Sequence, residues 1–155
     1  MLIGITGDTH GDFNSLKLLA ARAAGAADEW LHTGDLYQDA NTLRNLYGFN
    51  ITAVAGNNDF AAGPDDYDKI LMRAGYKIWL THGHRYRSLS AQNQQINADI
   101  IVCGHTHVPN IFRQEGVLFI NPGSPALPRR GSAQGFVLLT LETGTEPSAV
   151  FCPLE

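Results

Sequence analysis

Apolar positions in this chain come in short runs, and each of the first five runs breaks at glycine and polar residues. Leu2–Thr6 gives way to Gly7-Asp8-Thr9-His10-Gly11-Asp12, and Trp30–Thr33 to Gly34-Asp35. Ile51–Ala55 is followed by Gly56-Asn57-Asn58-Asp59, Lys77–Leu80 by Thr81-His82-Gly83-His84, and Ile100–Cys103 by Gly104-His105-Thr106-His107. Such runs read as buried strands. Between them, Phe13–Ala24 carries Phe13, Leu16, Leu19, Ala20 and Ala23 at helical spacing, with Gly25 as a stop. Asp39–Leu46 and Asp66–Ala74 read as further short helices, the second ended by Gly75, and Arg87–Asn97 shows a fainter helical pattern. Alternating strand and helix predicts a largely parallel sheet. After His107 the pattern changes. Val108–Arg113, Val117–Asn121, Gly135–Leu141 and Ala149–Cys152 are strand-like, with turns at Gln114-Glu115-Gly116 and Thr143–Pro147, and predict antiparallel strands. The expected architecture is two packed sheets with helices outside. Asn121–Ala133, rich in Pro, Gly and Ser, is the longest irregular stretch, and a loop of that length in a compact domain is often functional.

The residues that end the first five runs change the picture from fold to chemistry. In open α/β sheets, ligands bind beyond the carboxyl ends of the strands, and glycine lets the backbone turn tightly there. Of six histidines, five lie in these loops: His10, His82, His84, His105 and His107. Any one alone reads as a hydrogen-bonded structural residue. Together, at one sheet edge, they read as a metal site. Imidazole with carboxylate and amide oxygen suits Mn, Fe, Ni or Zn better than Ca or Mg. The absence of cysteine from these loops argues against a structural zinc knot. Asp35 is the natural bridge between two ions, because its loop brings a single carboxylate.

Composition narrows the class further. A chain of 155 residues reads as one domain spanning 1–155. It can bury roughly 68–70% of its unfolded surface, so no disulfide is needed to fold it. Hydrophobic residues make up 44% and charged residues 17%, ordinary values for a soluble protein. No apolar run approaches the ~20 residues of a membrane span, and Met1-Leu2-Ile3-Gly4-Ile5 lacks a basic region or cleavage site, so no signal peptide is expected. Cys103 and Cys152 are expected to be reduced, in a cytoplasmic protein. The net charge is −4 and the longest basic cluster is Arg129-Arg130, which disfavours extended nucleic acid as a partner. An acidic chain still acts on phosphate when metal ions supply local positive charge.

The order Asp-x-His, Gly-Asp, Gly-Asn-x-Asp, His, Gly-His-x-His resembles the calcineurin-like metallophosphoesterase superfamily. The short chain, the Thr81-His82-Gly83-His84 string and Asn121-Pro122-Gly123-Ser124 resemble its small bacterial and archaeal phosphodiesterase branch. The resemblance covers nearly the whole chain. It implies an αββα sandwich of two mixed sheets flanked by helices, and a homodimer or homotetramer. It also implies a ligand set: Asp8, His10 and His107 on one divalent ion, Asn57, His82 and His105 on the other, and Asp35 shared. Manganese is the first expectation for the ions, with Fe, Ni or Zn as alternatives. The implied reaction is hydrolysis of a small phosphodiester by a hydroxide bridging the two ions. Two divalent ions, two aspartates and one hydroxide leave roughly one positive charge, which suits a diester monoanion.

One position departs from the superfamily pattern. The residue after the ligand Asn is often a His that protonates the leaving group; here it is Asn58, which cannot serve as a general acid. Asp59, which would orient that His, is then without its usual partner, and His84 is the alternative acid or a contact to phosphate. Asn58, Asp59 and His84 are therefore the candidate catalytic residues. His32 reads as structural or as a residue that supports the ligands from behind. Asp12 either orients a ligand His or caps the helix at Phe13, and Asp39 reads as a helix cap. Arg85, Arg87, Arg129 and Arg130 are either phosphate contacts or solvated. Asn121 and Ser124 either line the site or shape the turn with Gly123. Competing functions are a phosphomonoesterase on the same site and a non-catalytic scaffold similar to the retromer subunit, which would be expected to have lost metal ligands.

Overall fold

In the computed structural model, which describes residues 1–155, the strands form two five-stranded sheets. The first contains β1 (Leu2–Thr6), β2 (Glu29–His32), β3 (Ile51–Ala53), β9 (Gly135–Glu142) and β10 (Thr145–Pro153), in the order β10-β9-β1-β2-β3. The second contains β4 (Asp68–Arg73), β5 (Tyr76–Thr81), β6 (Ile100–Val102), β7 (Pro109–Gln114) and β8 (Val117–Pro122), in the order β4-β5-β6-β8-β7. β1, β2 and β3 pair in parallel in one sheet and β5, β6 and β8 in the other, while β9, β10, β4 and β7 join their neighbours by antiparallel pairing. Both sheets are therefore mixed.

Period-two alternation decides which face each strand buries. Ile3, Ile5, Leu31, Ile78, Leu80, Ile100, Val102, Leu118, Ile120 and Leu139 point between the sheets and form one apolar cluster. Trp30, Ile51 and Phe136 point outward, against Leu16, Leu19, Ala20 and Ala23 of α1 (Phe13–Ala23) and Leu43 of α2 (Asp39–Tyr47). Trp79, Ile101 and Phe119 face the other way, with Leu89 and Ile96 of α3 (Leu89–Ile96) packed on them. The layers are helices, sheet, sheet, helix, as the αββα expectation requires. Asp12 caps α1, its carboxylate accepting from Asn14 N at 3.3 Å and Ser15 Oγ at 2.5 Å. Ser88 caps α3 through Ala91 N. No helix is long and apolar enough to cross a membrane.

Two expectations are corrected. Asp66–Ala74 is not a helix: Asp68–Arg73 is edge strand β4, paired with β5 from Asp68↔Thr81 to Arg73↔Tyr76. The glycine read as a helix stop is half of a hairpin turn. Ala74 and Gly75 both have positive φ, 48° and 85°, as a tight two-residue turn between twisted strands demands. The strands after His107 are not all antiparallel neighbours either. The β7–β8 turn reverses the chain so that β8 lies parallel to β6, and only its other edge pairs antiparallel.

Candidate metal centre

Because β1, β2 and β3 run in one direction, and β5 and β6 do so in the facing sheet, the loops after them emerge together. Asp8 and His10 follow β1, Asp35 follows β2, Asn57 follows β3, His82 follows β5, and His105 and His107 follow β6. The structure brings all seven together. Asp8, His10 and His107 form one group of converging ligand atoms, and Asp8, Asp35 and His82 a second; within each, the atoms lie within 4.8 Å of one another. Asn57 Oδ1 joins the second side, 3.0 Å from His82 Nε2 and 3.1 Å from His105 Nδ1. Asp8 and His82 are fully buried, and Asp35 and His107 nearly so, while Asn57 and His105 are exposed. The site is thus a buried floor with an open face.

Hydrogen bonding fixes which histidine nitrogens point inward. His82 Nδ1 donates to the Thr33 carbonyl at 2.8 Å, and His107 Nδ1 to the Leu127 carbonyl at 2.7 Å. In the neutral rings this leaves both Nε2 atoms as lone-pair acceptors. His82 Nε2 faces the carboxamide oxygen of Asn57 and lies 3.5 Å from Asp35 Oδ2. His107 Nε2 lies 3.2 Å from His10 Nε2 and 3.3 Å from Asp8 Oδ1. Asp8 Oδ1 is buried with no aligned hydrogen-bond donor. Acceptors do not converge on acceptors in a protein interior unless protons or a cation lie between them. Histidines pinned through one nitrogen to a backbone carbonyl are the usual arrangement of metal ligands. The donor set of imidazole, carboxylate and carboxamide oxygen fits divalent transition metals.

The resemblance gives Asp35 the shared position; in this geometry Asp8 is the carboxylate common to both groups. Both oxygens of Asp35 accept from Asn58, from its backbone N at 2.9 Å and from Nδ2 at 2.6 Å. Burial opposes ionisation of Asp35, but the Asn58 amide, His82 and the Asn58 carboxamide outweigh it and hold the carboxyl below its ordinary range. The Asp8 carboxylate beside His107 pushes that imidazole up. Burial, reinforced by His82, pushes His105 and His84 down.

The three candidate catalytic residues separate. Asn58 is spent on Asp35. Asp59 does not face the ligands: its carboxylate accepts from the backbone N of Asp35 at 3.0 Å, Gly56 at 2.7 Å and Tyr37 at 3.0 Å, tying the second and third loops together. His84 lies edge-on to His82, with ring centroids 5.2 Å apart, and its Nδ1 is buried without a partner.

Behind the ligands lies a frame of which sequence reasoning offered His32 as an alternative but missed Thr9 and the role of Asp39. His32 accepts from Gly34 N through Nδ1 at 3.1 Å, so its Nε2 donates to Thr9 Oγ1 at 3.0 Å. Thr9 Oγ1 in turn donates to Asp39 Oδ2 at 2.5 Å, and Gly11 N donates to the same oxygen at 2.8 Å. Asp39 is the first residue of α2, but its carboxylate serves the first loop rather than its own helix. An aspartate at a helix start gives no sequence signal of such a role. Ser124 Oγ donates to the Asp8 carbonyl at 2.7 Å, and Asn121 Nδ2 to the Gly104 carbonyl at 2.8 Å. These two brace the loops rather than line the site.

Known proteins are similar to this chain in sequence and in fold. The calcineurin-like phosphoesterase superfamily domain matches residues 1–144. The probable metallophosphoesterase YsnB of Bacillus subtilis (strain 168) is 34% identical over 149 residues, which is 92% of this chain and 85% of that protein. An archaeal phosphodiesterase of known structure superposes with a TM-score of 0.75 at 24% identity, over 98% of this chain and 100% of that one. Vps29 of Entamoeba histolytica, solved with Zn²⁺, gives a TM-score of 0.75 at 21% identity over 100% of both chains. At that identity the last two speak to the fold alone. The family match and the Bacillus relative go further: the chain belongs to the calcineurin-like phosphoesterase superfamily, which supports a metal-dependent phosphoester hydrolase.

Proposed function

We propose that this protein hydrolyses small phosphodiesters with two divalent transition-metal ions, manganese being the first candidate. The observation that carries the reading is the convergence of buried lone pairs at His82, His107 and Asp8, with the carboxamide oxygen of the exposed Asn57 at their edge and two histidines pinned to carbonyls behind. Asp8, His10 and His107 would hold one ion, and Asn57, His82 and His105 the other, with Asp8 or Asp35 between them. Bound ions there would supply positive charge that polarises the phosphoryl oxygens and lowers the pKa of water. The archaeal neighbour that shares this fold is described as a phosphodiesterase.

The chain's own residues set the substrate preference. Two aspartates reduce the charge that the ions bring, which suits a monoanionic diester. Asn58 stands where an imidazole acid could sit, is a carboxamide, and has its donor engaged by Asp35. A leaving alkoxide therefore departs without help from that position, and general acid assistance is typically worth about 10²–10⁴-fold. Diesters with good leaving groups are the expected substrates.

The test is a phosphoester panel on chelator-stripped protein reconstituted with Mn, Fe, Ni or Zn in turn. Aryl diesters should show a kcat/KM at least about tenfold above alkyl monoesters. A preference for alkyl monoesters under every metal would replace this reading with a phosphomonoesterase.

A further inference from the structure

Beside the metal centre runs an open groove of about 570 Å³ whose lining includes His105, Thr106, Asn110, Arg129 and Arg130 along with Val108 and Pro109. That volume lies within the range of small-molecule sites. His105 belongs to the ligand set, so the groove opens directly from the centre. The ion pairs made by arginines in this acidic chain belong to Arg73, Arg85 and Arg113. Arg129 and Arg130 take part in none of them, and both are exposed to solvent.

The segment that presents them is tightly built. Arg129 N donates to the carbonyl of His107 at 3.2 Å, tying it to a ligand residue. Ser132 N and Oγ both return to the Arg129 carbonyl, at 3.0 Å and 2.7 Å. Arg130 and Gly131 have successive positive φ angles of 55° and 73°. With the Ser132 N bond to the Arg129 carbonyl, this is the same kind of tight two-residue turn that Ala74-Gly75 makes, and it fixes the backbone that carries both arginines. The turn thus holds two adjacent, unpaired guanidinium groups at the mouth of a site for one phosphoryl group. Guanidinium forks match phosphate oxygens two at a time.

We propose that this groove is a second phosphate subsite, and that the preferred substrates are phosphodiesters with a further phosphate on one ester arm. The proposal rests on the phosphodiesterase reading for which phosphoryl group is cleaved, but the second phosphate has its own readout.

Two measurements test it on the metal-reconstituted protein. In the first, calorimetry compares thymidine 3′,5′-bisphosphate with thymidine 5′-monophosphate, without turnover. The wild type should bind the bisphosphate about tenfold more tightly at low salt, and the difference should shrink as ionic strength rises. In R129A/R130A the two ligands should bind within about twofold of each other. In the second, thymidine 5′-(4-nitrophenyl phosphate) is hydrolysed with and without a 3′-phosphate. The ratio of the two kcat/KM values should be about ten in the wild type and close to one in the double variant. A wild-type ratio near one in binding, or a tenfold ratio that survives R129A/R130A, overturns the subsite. If neither ester is cleaved under any metal, the phosphodiesterase reading fails, while the binding comparison still decides the groove.

Discussion

Asp8, His10, Asp35, His105 and His107 all have positive φ, between 50° and 72°. Non-glycine residues rarely adopt this conformation, and its cost is tolerated where the surroundings enforce it. His32, Thr9, Asp39 and Asp59 give the first three loops hydrogen bonds from behind, and Asn121 braces the loop of His105 and His107 through the Gly104 carbonyl. His32 is fully enclosed, and burial pushes its pKa from 6.5 down to about 4. The folded chain therefore binds fewer protons there than the unfolded chain between those values. Its contribution to stability is complete above pH 6.5 and is lost as pH falls towards 4, to the extent of a few kcal/mol, on the order of 1.4 kcal/mol per unit. Denaturation of chelated protein should show this acid loss in the wild type and a flatter profile in His32→Gln across the same window. Equal slopes in the two proteins would contradict the assignment. Asn58 makes a different prediction, because it acts through Asp35. Asn58→Ala should lower kcat/KM by about tenfold, a charged hydrogen bond's worth, and equally for good and poor leaving groups. A loss that grows with leaving-group pKa would mean that Asn58 touches the leaving oxygen instead.

At the level of elements, the ligand-type residues sit at strand ends beside glycines, and two of those glycines leave no spare room. A Cβ on Gly104 would stand 2.4 Å from Thr33 Oγ1 and 2.7 Å from Asp8 Oδ2; one on Gly56 would stand 2.0 Å from Asp35 Oδ1. Neither contact can be relieved without moving a loop that carries ligands. Gly104→Ala should therefore fold with a loss of about 1–3 kcal/mol and weaken metal affinity at least about tenfold, as read by melting and metal titration. Unchanged metal affinity would show that the loop has slack the geometry does not suggest. The element scale is also where the sequence misled. Asp68–Arg73 has a composition that either a helix or a strand accepts, and Gly75 punctuates both. Pairing with β5 settled the matter, and pairing is a property of the partner rather than of the segment.

For the whole molecule, the legible part was whatever repeats locally. Apolar runs such as Leu2–Thr6 and Ile100–Val102 mark strands by composition, and a glycine followed by Asp, Asn or His marks a strand end that carries a ligand. That sufficed for the layered architecture and for the seven residues the structure brings together. What stayed hidden was long-range. The Thr9–Asp39 bond spans 30 residues and the Ser124–Asp8 bond 116, and nothing near either residue announces it. The role of Asp59 was misjudged for the same reason: its three partners lie in two loops. The joined sheets and these braces hold the seven converging residues as one fixed set open to solvent, the arrangement that the proposed pair of metal ions requires. The most direct test is elemental analysis of metal-reconstituted protein alongside hydrolysis of bis(4-nitrophenyl) phosphate. The account predicts two ions per chain at saturation, with turnover rising as the second ion binds and nearly abolished in Asp35→Ala. Saturation at one ion or fewer, with no hydrolysis under Mn, Fe, Ni or Zn, would contradict it.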